Sequence, residues 1–182
     1  MKNPVESLLE DDHESLAEVL SGLESELKKA NVVRAFELLD LFWARLAVHI
    51  RAENLQLFPA IANAAASLFT GKGSMPTSEE AHSILLQLRS DHDFFMKELV
   101  EMIKAARVLA GREEVPRREI KELRQQVSNI RKRLATHNLL EEGLVYTWPS
   151  LLFDEKTVAT LGDGLRHELE NLPPRFTNAT AS

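Results

Sequence analysis

No cysteine occurs anywhere in the 182 residues. The chain therefore has no disulfide framework, no thiolate metal ligand and no thiol nucleophile. That absence fits a reducing compartment, so a cytoplasmic location is expected. Aromatics are scarce at 6%, with a single tyrosine. Ala, Leu, Glu, Lys and Arg dominate instead, which favours helix over strand. No apolar run approaches the ~18 to 20 residues that span a bilayer. Residues 1–14 lack the apolar stretch of a signal peptide, and no membrane partner is expected. The net charge is −6. Phosphate binding needs a basic surface, so no nucleic-acid partner is expected either. The most basic stretch, Arg117 to Arg133, is interrupted by Glu119 and Glu122 and reads as a solvated helix face.

What is present is ordinary for one globular domain with a real core: 44% apolar and 27% charged residues. Asn3 as N-cap and Pro4 at the first helical position open a helix. Leu9, Leu16, Leu20, Leu23 and Leu27 then recur at steps of three and four. It stops near Ala30 and Asn31. A second helix runs from about Val32 to Leu57, with Leu39, Phe42 and Leu46 on its inner line. Pro59 ends it or starts a short helix, Pro59 to Phe69. Thr70 to Pro76 is the clearest loop.

Thr77 with Glu80 is a capping-box signal for a third helix. It carries Leu85, Leu88, Phe95, Leu99 and Met102, and Gly111 ends it. Pro116 opens a fourth, with Ile120, Leu123, Val127, Ile130 and Leu134 inside, ending before Pro149. A shorter helix, Asp154 to Asn171, packs across the bundle or onto a partner. Short links within each helix pair predict an all-α, up-down-up-down antiparallel four-helix bundle with a short additional C-terminal helix. The expected division is residues 1–149 for the bundle, 150–172 for the helix packed on it and 173–182 for a disordered tail. No internal repeat is visible at the level of sequence identity.

Four of the six histidines interrupt the inner lines. His13 lies between Leu9 and Leu16, and His92 between Leu88 and Phe95. His49 follows Leu46 by three, and His137 follows Leu134 by three. An inner line covers about two positions in seven, so four independent histidines would all fall on it less than about once in a hundred tries. At ~1.5 Å per residue, the arms of each hairpin differ by only ~3 to 5 Å, so each pair of histidines meets at one height. Glu53 and Glu141 each follow a histidine by four, one turn along the same face. Glu142 lies ~100° further round, which makes Glu141 the inward carboxylate.

A lone inward histidine is usually a hydrogen-bonded core residue. Six converging polar groups are different. Each unpaired one costs roughly 2 to 7 kcal/mol to bury, a bare carboxylate more, against a domain stability of only ~5 to 15 kcal/mol. A metal satisfies them directly. Imidazole and carboxylate without thiolate suit iron or manganese and tolerate zinc. Six ligands are too many for one tetrahedral zinc and suit two metals bridged by the carboxylates.

Read as DDHE around His13, HIRAE from His49 to Glu53, SDHDFF around His92 and HNLLE from His137 to Glu141, the pattern resembles the hemerythrin-like family over about residues 5–146. The resemblance implies two Fe ions bridged by two carboxylates and an oxo or hydroxo group, with Mn or Zn as possible substitutes. It implies His13, His49, Glu53, His92, His137 and Glu141 as metal ligands, and a small diatomic or peroxide ligand such as O2 or NO. The oxygen carriers of that family have a second histidine four residues after the one on the third helix. Met96 stands there in this chain, which implies more exchangeable positions. The carriers also place their final carboxylate, an Asp, five residues after histidine; here Glu141 stands at four and Glu142 at five. The same ligand set is similar to the metal domain of bacterial repair-of-iron-centres proteins, without their cysteine-containing segment.

The expected function is a stress-responsive di-iron protein that binds, senses or reduces such a ligand, as monomer or homodimer. The alternative is an iron-storage or iron-responsive module without turnover. A ferritin-like site built on Glu10-x-x-His13 and Glu79-x-x-His82 is a poorer fit, because His82 lies ~15 Å along the helix from His92. His82 and His167 read as solvent residues. Tyr146 and Trp148, just past the last ligand, read as a cap on the core or a shield for the metal.

Overall fold

The capping chemistry at Asn3 and Pro4 starts the first helix where the sequence places it. Asn3 accepts from the Glu6 N–H, and the Glu6 carboxylate accepts from the Asn3 N–H. The computed structural model describes residues 2–173. α1 spans Pro4–Lys28 and α2 spans Val32–Ala52. The turn between them is closed by bonds from Ala30 N–H to the Leu27 carbonyl and from Asn31 N–H to the Glu26 carbonyl. Asn31 then caps α2.

Pro59 neither ends the second helix nor opens one reaching Phe69. α2 passes instead into a π turn, Glu53–Leu57, and on into α3, Phe58–Ala62. A proline ring clashes with the carbonyl four residues back and offers it no N–H. The wider turn, closed from Phe58 N–H to the Glu53 carbonyl, carries the chain past that obstacle. Residues 66–68 form only a 3₁₀ turn.

α4 spans Ser78–Ala110 behind the Thr77–Glu80 capping box. α5 spans Arg117–Gly143, shorter than the expected run to Pro149. A 3₁₀ turn, Val145–Thr147, and α6, Trp148–Leu152, follow it. α7 spans Glu155–Glu170, with Asp154 accepting from the Thr157 N–H. The described residues contain no β-strand, only one isolated bridge between Thr70 and Thr77.

α1 neighbours α2 and α5, and α4 neighbours the same two, which closes the four-helix bundle. α7 lies against α1, α2 and the π turn. Its buried face is Val158, Leu161 and Leu165. The Arg51 guanidinium holds its far end, donating to the Glu168 carboxylate at 2.9 Å and to the Asn171 carbonyl at 3.3 Å. The expected tail, 173–182, lies outside the described residues except for Pro173.

Every inner-line residue predicted from the spacing is buried. The core falls into two apolar clusters. One contains Leu16 to Leu27, Phe42, Leu46, Phe95 to Met102 and Ile120 to Leu134. The other contains Val5, Leu9, Phe58, Leu88, Tyr146, Trp148 and Leu165. Between them in the bundle lies a polar layer.

Candidate metal centre

Among the described residues the buried polar and charged side chains are His13, His49, Glu53, His92, His137 and Glu141. They form the layer between the clusters. His13 Nε2 lies 3.1 Å from His49 Nε2. In the other hairpin His92 Nε2 lies 3.2 Å from His137 Nε2. Helical spacing matches the arms within each hairpin, and the packing of α2 on α4 and of α1 on α5 brings the two pairs together. Sequence left that last alignment undetermined.

The carboxylates span the pairs. Glu53 Oε2 is 3.5 Å from His49 Nε2 and 3.2 Å from His92 Nε2. Glu141 Oε2 is 3.5 Å from His13 Nε2, and its Oε1 is 3.0 Å from His137 Nε2. Glu141 thus turns one oxygen to each pair. Both carboxylates are 0% exposed. The donor atoms fall into two groups able to hold an ion, each with its atoms within 4.8 Å of one another. Glu53, His92, His137 and Glu141 form one; His13, His49 and Glu141 form the other.

Outer carboxylates fix the rings. His49 Nδ1 meets Asp12 at 2.9 Å, His137 Nδ1 meets Asp91 at 3.4 Å, and His13 Nδ1 meets Glu142 at 2.7 Å. A ring that donates from Nδ1 turns the Nε2 lone pair inward. Arginines brace two of the three: Arg45 donates to Asp12 at 2.9 Å, and Arg133 to Asp91 at 2.7 Å. Each arginine precedes its histidine by four, so the two hairpins repeat one arrangement: Asp-His on one helix, Arg-x-x-x-His-x-x-x-Glu on the next. Sequence reasoning missed this repeat, because only five positions in each hairpin carry it. The signal was Asp12 and Asp91, each one residue before an inward histidine and so ~100° round, at the flank that faces the neighbouring helix. Glu142, the carboxylate passed over for the interior, does the same for His13.

His92 Nδ1 has no hydrogen-bond partner among the described residues, and the Phe58 ring stacks on that imidazole at 5.6 Å. Phe95 meets His137 edge-on at 5.3 Å. Met96 packs against the first apolar cluster. His82 and His167 are exposed, which leaves the Glu79-x-x-His82 spacing with no inward histidine.

Tyr146 belongs to the layer as well as to the core. Its ring lies in the second cluster, but its hydroxyl donates to Glu53 Oε1 at 2.7 Å. The same oxygen lies 3.1 Å from His13 Nε2 and 3.3 Å from Glu141 Oε2. Trp148 stays in the apolar cluster.

The electrostatics of the bare layer are uneven. Burial, reinforced by the Glu53 charge, raises Glu141 to about 8. Burial also pushes Glu53 upward, but His49 and His92 outweigh it and hold that carboxyl well below its usual range. Burial pushes His49 down, while Glu53 and Asp12 more than compensate and raise it well above the usual value. Burial lowers His13 and His137.

The donor set fits a metal. Glu53 Oε2 and Glu141 Oε1 are buried with no aligned hydrogen bond among the described residues, although histidine Nε2 atoms stand 3.2 and 3.0 Å from them. The inward Nε2 atoms of the two histidine pairs stand 3.1 and 3.2 Å apart beside these carboxylates, close enough for a cation to take the place of the protons they share. All-oxygen and imidazole donors suit iron and manganese and admit zinc.

No curated protein and no solved structure matches the chain. The family model of the Hemerythrin HHE cation binding domain matches residues 5–149, and with its buried layer of histidine and glutamate the chain belongs to that family.

Proposed function

We propose that the chain holds two iron ions through His13, His49, Glu53, His92, His137 and Glu141, and that it binds, senses or reduces a small ligand such as O2, NO or peroxide. The observation that carries this reading is the division of the donors into two groups joined through Glu141. Iron in such a site supplies electrons and exchangeable positions for a diatomic or peroxide ligand. The residues of the chain do the rest. Glu53 and Glu141 would hold the ions and offset part of their charge, Glu141 being the one side chain common to both donor groups. Asp12, Asp91 and Glu142 hold three rings in one tautomer. The apolar clusters above and below exclude water and strengthen every charge interaction in the layer. A surface cleft lined by Asp91, Arg133, Thr136, His137 and Leu140 borders the site at His137. Residues 1–149 are the metal-holding unit in this reading, and α7 braces the π turn that begins at Glu53.

Anaerobic loading with ferrous iron, metal analysis, and optical spectra before and after oxygen test it. Two irons per chain and an oxygen-dependent spectral change are expected. Alanine at His49 or Glu53 lowers the iron content. One iron per chain, or none, overturns the proposal. Two irons with peroxide and NO consumption at background would favour an iron-storage or iron-responsive module instead.

A further inference from the structure

The two donor groups are unequal. Among the described residues, one has four side chains whose ligand atoms lie within 4.8 Å of one another; the other has His13, His49 and Glu141, with Glu53 reaching it through Oε2 at 3.5 Å from His49 Nε2. The Tyr146 hydroxyl lies on the poorer side, 3.1 Å from His13 Nε2 and 3.3 Å from Glu141 Oε2. Adjacent ligands around an ion with bonds of ~2.0 to 2.2 Å stand about 3 Å apart. The phenol oxygen therefore stands where a further ligand of that group would stand.

A buried tyrosine usually needs one partner for its hydroxyl, and Glu53 Oε1 at 2.7 Å supplies it. That contact uses the only proton. The oxygen lone pairs then face His13 Nε2, whose own Nδ1 serves Glu142. Lone pair against lone pair at a buried site is unfavourable unless a cation lies among them. The backbone is arranged to produce this placement. α5 stops at Gly143, and the 3₁₀ turn Val145–Thr147 swings Tyr146 back toward the layer. The Asn3 side-chain amide donates to the Tyr146 carbonyl at 3.0 Å and pins that turn to the start of α1.

We infer that Tyr146 Oη is a seventh protein donor to the metal centre, completing the group formed by His13, His49 and Glu141. The inference rests on the di-iron reading above. Ligation exchanges the phenol O–H bond for an oxygen–metal bond. The proton leaves to solvent, and no electron changes hands.

The chain has one tyrosine, so any tyrosinate signal belongs to Tyr146 without recourse to a variant. The test is resonance Raman and visible spectroscopy on the full chain loaded with ferric iron, its iron content measured on the same sample. A phenolate-to-iron charge-transfer band is expected, with ring modes that shift when ring-deuterated tyrosine is incorporated. Tyr146→Phe should lose the band while retaining iron. Wild-type protein that carries iron but shows no tyrosinate modes overturns the inference and leaves the di-iron reading standing. Persistence of the band in Tyr146→Phe overturns it too. Wild-type protein that takes up no iron defeats the di-iron reading itself.

Discussion

Ala30 adopts φ 60° at the position of the α1–α2 turn where glycine is favoured. A side chain there costs roughly 1 kcal/mol. Ala30→Gly is expected to stabilise the chain by about that amount, read as a higher urea midpoint with unchanged slope; a lower midpoint would refute the strain argument. Asp91 acts on His137 through Nδ1. Removing such an outer carboxylate typically costs about 10- to 100-fold in metal affinity, so Asp91→Ala should weaken iron binding by that factor with helix content unchanged in circular dichroism. Equal affinity would deny Asp91 the orienting role. Glu141 carries the pH dependence. Its value in the folded, metal-free chain is raised to about 8 from 4.5. The stability it contributes is present below about pH 4.5 and is lost as pH rises through about 8. Iron must displace that proton and the one on His49. Uptake at pH 7 should therefore release protons into a weakly buffered indicator solution, and less from Glu141 above pH 8. Uptake with no release at pH 7 would mean the layer binds metal in some other ionisation state.

At the scale of elements, spacing made the helices legible because burial follows the 3.6 period without regard to partners. Leu9 through Leu27 and Ile120 through Leu134 needed nothing else. The irregular pieces were less legible. Pro59 announces a disturbance, yet whether a helix stops or widens depends on whether neighbours reward its continuation. Here Phe58 and Ile61 are buried beyond the proline, so the helix widens and goes on. Tyr146 read as a cap on the core or a shield for the metal, but the reach of its hydroxyl to Glu53 was not legible, for a similar reason. Its hydroxyl reaches the layer only because α5 stops at Gly143, an end that the sequence does not punctuate strongly. α7 announces itself by Asp154 and by an apolar face, but only packing shows what that face meets. Leu165 is buried in the second cluster, so Leu165→Ala should cost about 2 to 5 kcal/mol in chemical denaturation. A loss under about 0.5 kcal/mol would show that α7 contributes little to the fold.

The whole molecule places a charged layer between two apolar clusters, an arrangement in which the metal-free chain bears the cost of buried carboxylate oxygens with no hydrogen bond aligned on them among the described residues. An ion that binds only the folded chain raises its stability, by about 2.7 kcal/mol at a hundred times the dissociation constant. Iron loading should therefore raise the melting temperature of wild-type protein, and Glu141→Ala should abolish that rise. An equal rise in the variant would place the stabilising ion elsewhere. Nor is any helix among the described residues long and apolar enough to cross a membrane.

Residue type and period alone determined the bundle, its inner faces and the inward turn of His13, His49, Glu53, His92, His137 and Glu141, because side-chain direction in a helix is a local property. Matching heights within each hairpin followed from arm length. Only the tertiary structure decided that the two hairpins align and that Glu141 turns one oxygen to each histidine pair. It alone decided that Asp12, Asp91 and Glu142 reach rings on neighbouring helices, and that Tyr146 bends back to the layer. Those relations depend on how helices far apart in sequence pack against one another, and no local periodicity encodes the register between them.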